Sequence, residues 1–312
     1  MLTMSQRFLV CKLVLLLVSL GGCGLDITFE GENRDLLERY DPDAGVAAAD
    51  AAPDTGETSF TALDHAAWGG VLSLYIQAAC FDYDGLIASD EAQALLDEYL
   101  AQLERVDLGG LDVEEREALW INAYNAITVR GVIAARAEEP AFRVDEDGFA
   151  FFQVQRARVG GLHVSLDMIE HVILRGDASH ASIAAVDEAT RTAALAEHDL
   201  IGAFDPRVHF ALNCASRSCP NLRFEPYLGP TLDAQLAAQT TVFLDDASKG
   251  AGPDGISSLF LWFGGDFSAV APVDDFIAMH RTDGLDGVDT DTYLDYLWSP
   301  NDVVDGEVAC GE

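Results

Sequence analysis

The order of periodic segments predicts an α+β fold: a mostly helical single domain packed on a small, largely antiparallel sheet. Three observations carry this. Long stretches between residues 60 and 301 place apolar residues at helical spacing. Capping residues stand at their starts. One pair of short alternating runs is separated by Gly160-Gly161, the mark of a tight hairpin. Taken in order, Asp64 caps a helix over 64–77 whose inner face carries Trp68, Val71, Leu72 and Tyr75. Helices follow over 90–105 and 112–136. Residues 152–159 and 162–165 are the hairpin arms, and Ser165 caps a helix over 166–175. Residues 207–213 read as a strand feeding a polar loop. Thr231 caps a helix through 244, and an apolar run at 259–263 and a helix over 273–281 complete the set.

Residues 1–22 read as an address, not as fold. Arg7 and Lys12 give a basic start, residues 13–20 a short apolar core, and Leu20-Gly21-Gly22-Cys23 a lipoprotein cleavage box. The run is too short to span a bilayer. Cys23 is then the lipidated residue, and the membrane is a partner through that lipid. A plain secretory signal with an incidental cysteine is the alternative. Gly24 rather than Asp follows the cysteine, so the expected location is the cell envelope, at the outer membrane. Residues 23–59, rich in Ala, Asp, Pro and Gly, cannot bury enough apolar surface to order themselves and form a tether. A flexible chain of that length reaches roughly 30 Å. Residues 60–301 are the domain and 302–312 a tail.

Acidic residues outnumber basic ones 53 to 18, for a formal net charge of −35. The only lysines are Lys12 and Lys249. Nucleic acid is excluded as a partner because no basic stripe can neutralise phosphates. Such an acidic surface is usual in high salt. Calcium is the sharper alternative, at Asp283, Asp286, Asp289 and Asp291, but their spacing fails the EF-hand pattern.

The chemistry concentrates in His209-Phe-Ala-Leu-Asn-Cys-Ala-Ser-Arg-Ser-Cys-Pro220. It places Cys214, Ser216, Arg217 and Cys219 in a loop after a rigid element, where reactive groups are both positioned and accessible. If 207–213 is a regular strand, His209 and Cys214 point to opposite faces and cannot form a dyad. A base for Cys214 then comes from His171 or His163. Cys214 and Cys219 admit three readings: a disulfide or purely structural pair, a nucleophile with a bystander, or a metal site, the last weak without a second cysteine pair. Cys80 and Cys310 are a second disulfide candidate. On the helix over 166–175, Glu170 projects at the edge of the apolar stripe and is the candidate for a raised carboxylate, while Asp167, His171 and Arg175 line the polar side. Asn122 and Asn125 share one face of a helix that is apolar nearly all round, and either fix a neighbouring backbone or orient a catalytic group. No metalloprotease, α/β-hydrolase, P-loop or dinucleotide motif is present, and no cofactor is called for.

Trp120-Ile-Asn-Ala-Tyr-Asn-Ala126 and the cysteine loop together resemble the signatures of the domain-of-unknown-function 547 family. The resemblance extends to His65-x-x-Trp68, Tyr83, residues 165–175, 232–236, Trp262-Phe263 with Asp266-Phe267, and Tyr296-x-Trp298-Ser299. Leu297, Pro300 and Asn221 depart from its pattern. It implies a fold and a site, not a substrate. Two functions remain open: an envelope thiol hydrolase or transferase acting on peptide or amide bonds of an unidentified envelope substrate, or a non-catalytic binding or scaffolding lipoprotein. In the first, Cys214 is the nucleophile, His171 the base, and Glu170 or Asn122 an orienting group.

Overall fold

The computed structural model describes residues 63–304, apart from 79, 155–156 and 185, together with 307–308. The expected signal segment, lipidation site Cys23 and tether, and Cys310, lie outside these residues. Helices dominate, and the paired strands are antiparallel, as the sequence predicts. Among the described residues the strands do not merge into one sheet; they form four separate two-stranded ladders.

Helix α1 (Ala66–Tyr75) leads through the ladder β1–β2 (Ile76–Gln77 and Cys80–Phe81) into α2 (Tyr83–Ile87), then α3 (Asp90–Arg105). Asp82 caps α2 and Ser89 caps α3, each side chain accepting a backbone N–H of the first turn. Helix α4 (Val113–Glu138) is the axis of the domain. It opens on a capping box in which Asp112 and Glu115 satisfy each other's backbone N–H. From Ala118 to Val129 every side chain is buried, so neighbours pack on all its sides.

A short helix, α5 (Ala150–Gln153), takes Phe152 out of the expected hairpin, whose strands are β3 (Ala157–Val159) and β4 (Leu162–Val164). Gly160 and Gly161 turn it with φ of 56° and 80°, the left-handed region open to glycine. A Cβ at Gly160 would stand 2.5 Å from Leu108 Cγ, so the hairpin also seats closely on that residue. Ser165 caps the next helix as expected, its Oγ accepting the Met168 N–H at 3.1 Å. Residues Met168–Leu174 are, however, a π-helix. Short α6 (Ala181–Ala184) precedes α7 (Glu188–Ile201), which Asp187 caps. The sequence reading did not isolate α7: its apolar face is built largely from alanines, a faint periodic signal.

Residues 207–213 are not a strand. Pro206–Phe210 form a 3₁₀ turn, begun by Pro206 and by the Asp205 carboxylate accepting the Arg207 N–H. The start signal Asp-Pro prevails over the alternation of Val208, Phe210 and Leu212. The turn delivers Phe210 into a second, aromatic core, stacked on Phe243 at 4.8 Å and Phe267 at 5.6 Å. That core is completed by α8 (Leu232–Asp245), the ladder β5–β6 (Ala251–Gly252 and Gly255–Ile256), α9 (Leu259–Trp262), α10 (Gly264–Ser268) and α11 (Val273–His280). An extended strap over 293–302 then crosses the molecule, bridging Tyr293 to Ile256, Pro300 to Ser216 and Asp302 to Phe81. Strands β7 (Val303–Val304) and β8 (Glu307–Val308) end the described chain. No described helix is long and apolar enough to cross a membrane.

One buried ion pair ties α7 to α4. Arg116 Nη1 donates to Glu197 Oε2 at 2.6 Å, and Trp120 Nε1 donates to the same oxygen at 3.2 Å. Glu197→Ala would strand the buried guanidinium, an outcome that costs about 3–5 kcal/mol. Urea unfolding should register that loss; a change below about 1 kcal/mol would show that the pair does not hold the two helices.

Candidate functional site

The site is built outward from α4. Asn125 donates through Nδ2 to Ala211 O at 2.9 Å and accepts the Asn213 N–H on Oδ1 at 2.8 Å. Asn122 does the same for Tyr227, donating to its carbonyl at 2.7 Å and accepting its N–H at 2.9 Å. Both amides therefore pin loop backbones. Asn122 also lies 3.3 Å from His65 Nδ1, which meets Tyr99 Oη at 2.8 Å.

The loop Asn125 anchors is braced from within. Asn213 accepts the Ala215 N–H at 3.0 Å and donates to Pro220 O at 2.6 Å, closing both ends. Ala215 sits at φ 62°, a left-handed conformation costing about 1–3 kcal/mol for a residue with a Cβ. Bonds from the strap hold it: Asn301 N–H donates to Ala215 O, Arg217 N–H to Ser299 O, and Ser218 N–H to Leu297 O. Leu297, where the sequence departs from the family pattern, thus serves through its backbone; its side chain is exposed. Buried Lys249 donates to Cys219 O at 3.0 Å and to Asn221 Oδ1 at 2.5 Å. Asn221, the other departure, is the side-chain partner of this lysine.

Cys214 and Cys219 are free thiols, so the structure does not contain the disulfide expected between them. The Cys219 sulfur is occupied by backbone, accepting the Cys214 N–H at 2.7 Å and lying 3.6 Å from Leu212 O. Cys80 is disulfide-bonded; Cys310, its expected partner, is outside the described residues. The half-buried Cys214 sulfur is 3.1 Å from Ser216 Oγ and 3.3 Å from Tyr296 Oη. Burial pushes this thiol up, but hydrogen bonds from the Cys219, Ser216 and Tyr296 side chains and the Ser216 N–H outweigh it and hold it below its ordinary value. Burial and the Cys214 bond push Cys219 well up, and burial with the neighbouring thiols keeps Tyr296 protonated.

His171 and His209 belong to a second polar group. His209, freed from the strand geometry, is buried, places Nε2 2.8 Å from Asp266 Oδ2 and stacks on Phe263 at 4.1 Å. Arg175 donates to the same carboxylate oxygen at 2.7 Å and to His171 Nδ1 at 2.9 Å. A guanidinium only donates, so His171 is neutral with its proton on Nε2. The contact with Arg175 agrees with the four-residue spacing, but His171 packs against His180 at 4.2 Å and Phe263 at 6.2 Å instead of standing on an open surface. The π-helix explains the difference, since a wheel drawn at 3.6 residues per turn misplaces its side chains. Burial, then the neighbouring His180 and Arg175 charges, drive the His171 imidazole well down. Burial raises Asp266, yet its bonds from His209 and Arg175 prevail and bring it to about 2.

Trp262 and Phe263 stand between the two groups. Trp262 packs on Tyr296 at 4.8 Å and Trp298 at 6.0 Å, beside the thiol, while Phe263 packs on both imidazoles. Burial, and after it the charges of Glu170 and Cys214, pushes the Tyr124 hydroxyl well up. Tyr296, Asp266 and Lys249 were not picked out as site residues from sequence. Tyr296 and Asp266 do lie within the family-like motifs, and Lys249 stood out as one of two lysines. His163 lies on β4 opposite Arg158. Asp289, in the acidic segment considered for calcium, turns its carboxylate to the Asp291 N–H and Thr292 Oγ1.

On the π-helix, burial and then the Glu170 charge raise Asp167 to about 7. A carboxyl raised above its unfolded value stabilises the fold below about pH 4 and loses that contribution as pH climbs through about 7. Asp167→Asn should therefore gain stability relative to the unsubstituted protein across that window. A stability difference independent of pH between 4 and 8 would contradict the assignment.

Searches of curated proteins and of solved structures find no match. A family model described as "Protein of unknown function, DUF547" matches residues 108–244. The matched span holds Asn122, Asn125, the π-helix, His209 and both thiols; Lys249, Asp266 and Tyr296 lie beyond it. Over that segment, which carries the asparagine clamp and the thiol loop, the chain is similar to the DUF547 family.

Proposed function

We propose that this protein is a lipid-anchored envelope enzyme, a thiol hydrolase or transferase acting on peptide or related amide bonds, with Cys214 as nucleophile. The supporting observation is the state of that thiol: half-buried, yet held below its ordinary range by donors converging on one sulfur. A thiol stabilised as thiolate attacks an acyl carbon without an imidazole in contact. The carbon–sulfur bond forms, the amine leaves with a proton, and water or an acceptor amine then releases the acyl group. Tyr296, kept protonated, is placed to supply the leaving proton. His171 offers an Nε2–H while Arg175 holds Nδ1, so in this arrangement it orients substrate as a donor and does not serve as the base.

A binding or scaffolding lipoprotein is the second reading. It is favoured by Asn122 and Asn125, which spend both halves of their amides on loop backbones.

Iodoacetamide labelling separates the two. At pH 7, Cys214 should alkylate faster than a free cysteine, and Tyr296→Phe should slow it about fivefold, the effect of losing a ~1 kcal/mol hydrogen bond. The difference should vanish at alkaline pH, where both forms are ionised. A Cys214 that labels no faster than free cysteine at pH 7 removes the nucleophile reading.

The anchor is tested independently. Cys23→Ser should leave the protein unlipidated and in the soluble fraction after cell breakage; continued sedimentation with membranes would overturn the lipoprotein assignment.

A further inference from the structure

Acyl chemistry at Cys214 uses one thiol, and the loop carries two. Cys219 is 3% exposed, too enclosed to meet a substrate. Its sulfur touches the backbone nitrogen of Cys214 at 2.7 Å, and the two thiols act on each other's ionisation. Joining the two sulfurs therefore asks for side-chain rotation within a braced loop, not for the loop to open. The pair is also unequal: Cys214 is half-buried and reachable, Cys219 is sealed behind it. The lysine over Cys219, Lys249, places a positive group beside this inner cysteine and feels the charges of both thiols.

We infer that Cys214 and Cys219 form a peroxide-reactive pair, in which a hydroperoxide oxidises Cys214 to a sulfenic acid and Cys219 resolves it to an intramolecular disulfide. In the first step the Cys214 thiolate attacks the outer peroxide oxygen. A sulfur–oxygen bond forms, the oxygen–oxygen bond breaks, and the departing alkoxide takes a proton from the Tyr296 hydroxyl or from solvent. In the second, Cys219 attacks the Cys214 sulfur. A sulfur–sulfur bond forms, hydroxide leaves, and it takes up the Cys219 proton as water. Two thiols and one hydroperoxide thus give one disulfide, one alcohol and one water, and an external dithiol restores the starting state. A reachable thiol with a poised second thiol behind it is the arrangement such chemistry needs. Ser216 and Tyr296 add hydroxyls at the sulfur that can hold the peroxide oxygens. The inference shares Cys214 with the acyl-transfer proposal but does not depend on it.

The test reads thiol state with no acyl substrate present. The reduced, full-length protein is treated with an equimolar amount of hydrogen peroxide and digested for peptide mass mapping. The expected product is a Cys214–Cys219 crosslink that dithiothreitol reverses. With Cys219→Ser, or with Cys219→Ala should the first variant fold poorly, the sulfenic acid should persist and be trapped on Cys214 by dimedone. Both thiols surviving peroxide in the unsubstituted protein would overturn the inference, as would conversion of Cys214 to sulfinic acid without a crosslink. Neither of these results bears on whether Cys214 accepts an acyl group, so the two proposals fail separately.

Discussion

A buried side-chain amide must be satisfied, and on α4 two of them decide where the neighbouring loops run. Asn122 and Asn125 sit three residues apart on a helix packed on every side, where an unpaired amide would cost about 1–3 kcal/mol. Each takes one carbonyl and one N–H from a loop, as a neighbouring strand would. This fixes the entry to the thiol loop at Ala211 and Asn213. From there the constraint passes along the chain. Asn213 closes the loop, and Ala215 is forced into the left-handed region. The strap then absorbs the resulting geometry through its own backbone.

Two kinds of information differed in how legible they were. Caps and helical spacing read directly: the helix expected over 90–105 is Asp90–Arg105, and the central helix starts at the Asp112 cap. The Gly160-Gly161 hairpin was equally plain. Alternation was the misleading signal. Val208 and Phe210 face two different cores from a 3₁₀ turn, with Leu212 buried just beyond it, and apolar residues at every second position look the same in either case. The π-helix defeated a wheel for a related reason: no residue type announces the extra residue per turn, so the burial of His171 was out of reach. At the site, the segment 120–126 and the loop 209–220 stood out because polar residues there interrupt apolar runs. Their partners Tyr296, Asp266 and Lys249 come from distant segments, and only the folded chain relates them.

Positive charge is scarce in this molecule, and its placement is correspondingly telling. Lys249 is buried against the inner wall of the thiol loop, where burial draws its pKa down despite the nearby Asp246 and the two thiols. Arg175 stands between His171 and Asp266, and Arg116 is sunk between α4 and α7. The strongly acidic surface and the cation-bearing interior are separate features. The first governs solubility and encounter, while the second governs which buried protons are held and which are released.

The strap over 293–302 has a consequence in time. Tyr296 reaches the Cys214 sulfur across 82 positions of sequence, and the bonds that steady Ala215 and Arg217 come from Asn301 and Ser299. A chain that has folded its central helix and closed its thiol loop still lacks these groups until that later segment is made and laid across the loop. Until then the thiol has lost a hydroxyl donor and the left-handed turn beside it has lost its brace. The surroundings of the Cys214 sulfur are therefore completed last. A half-made chain carries its two loop cysteines without that hydroxyl and without that brace, and both arrive together with the finished fold.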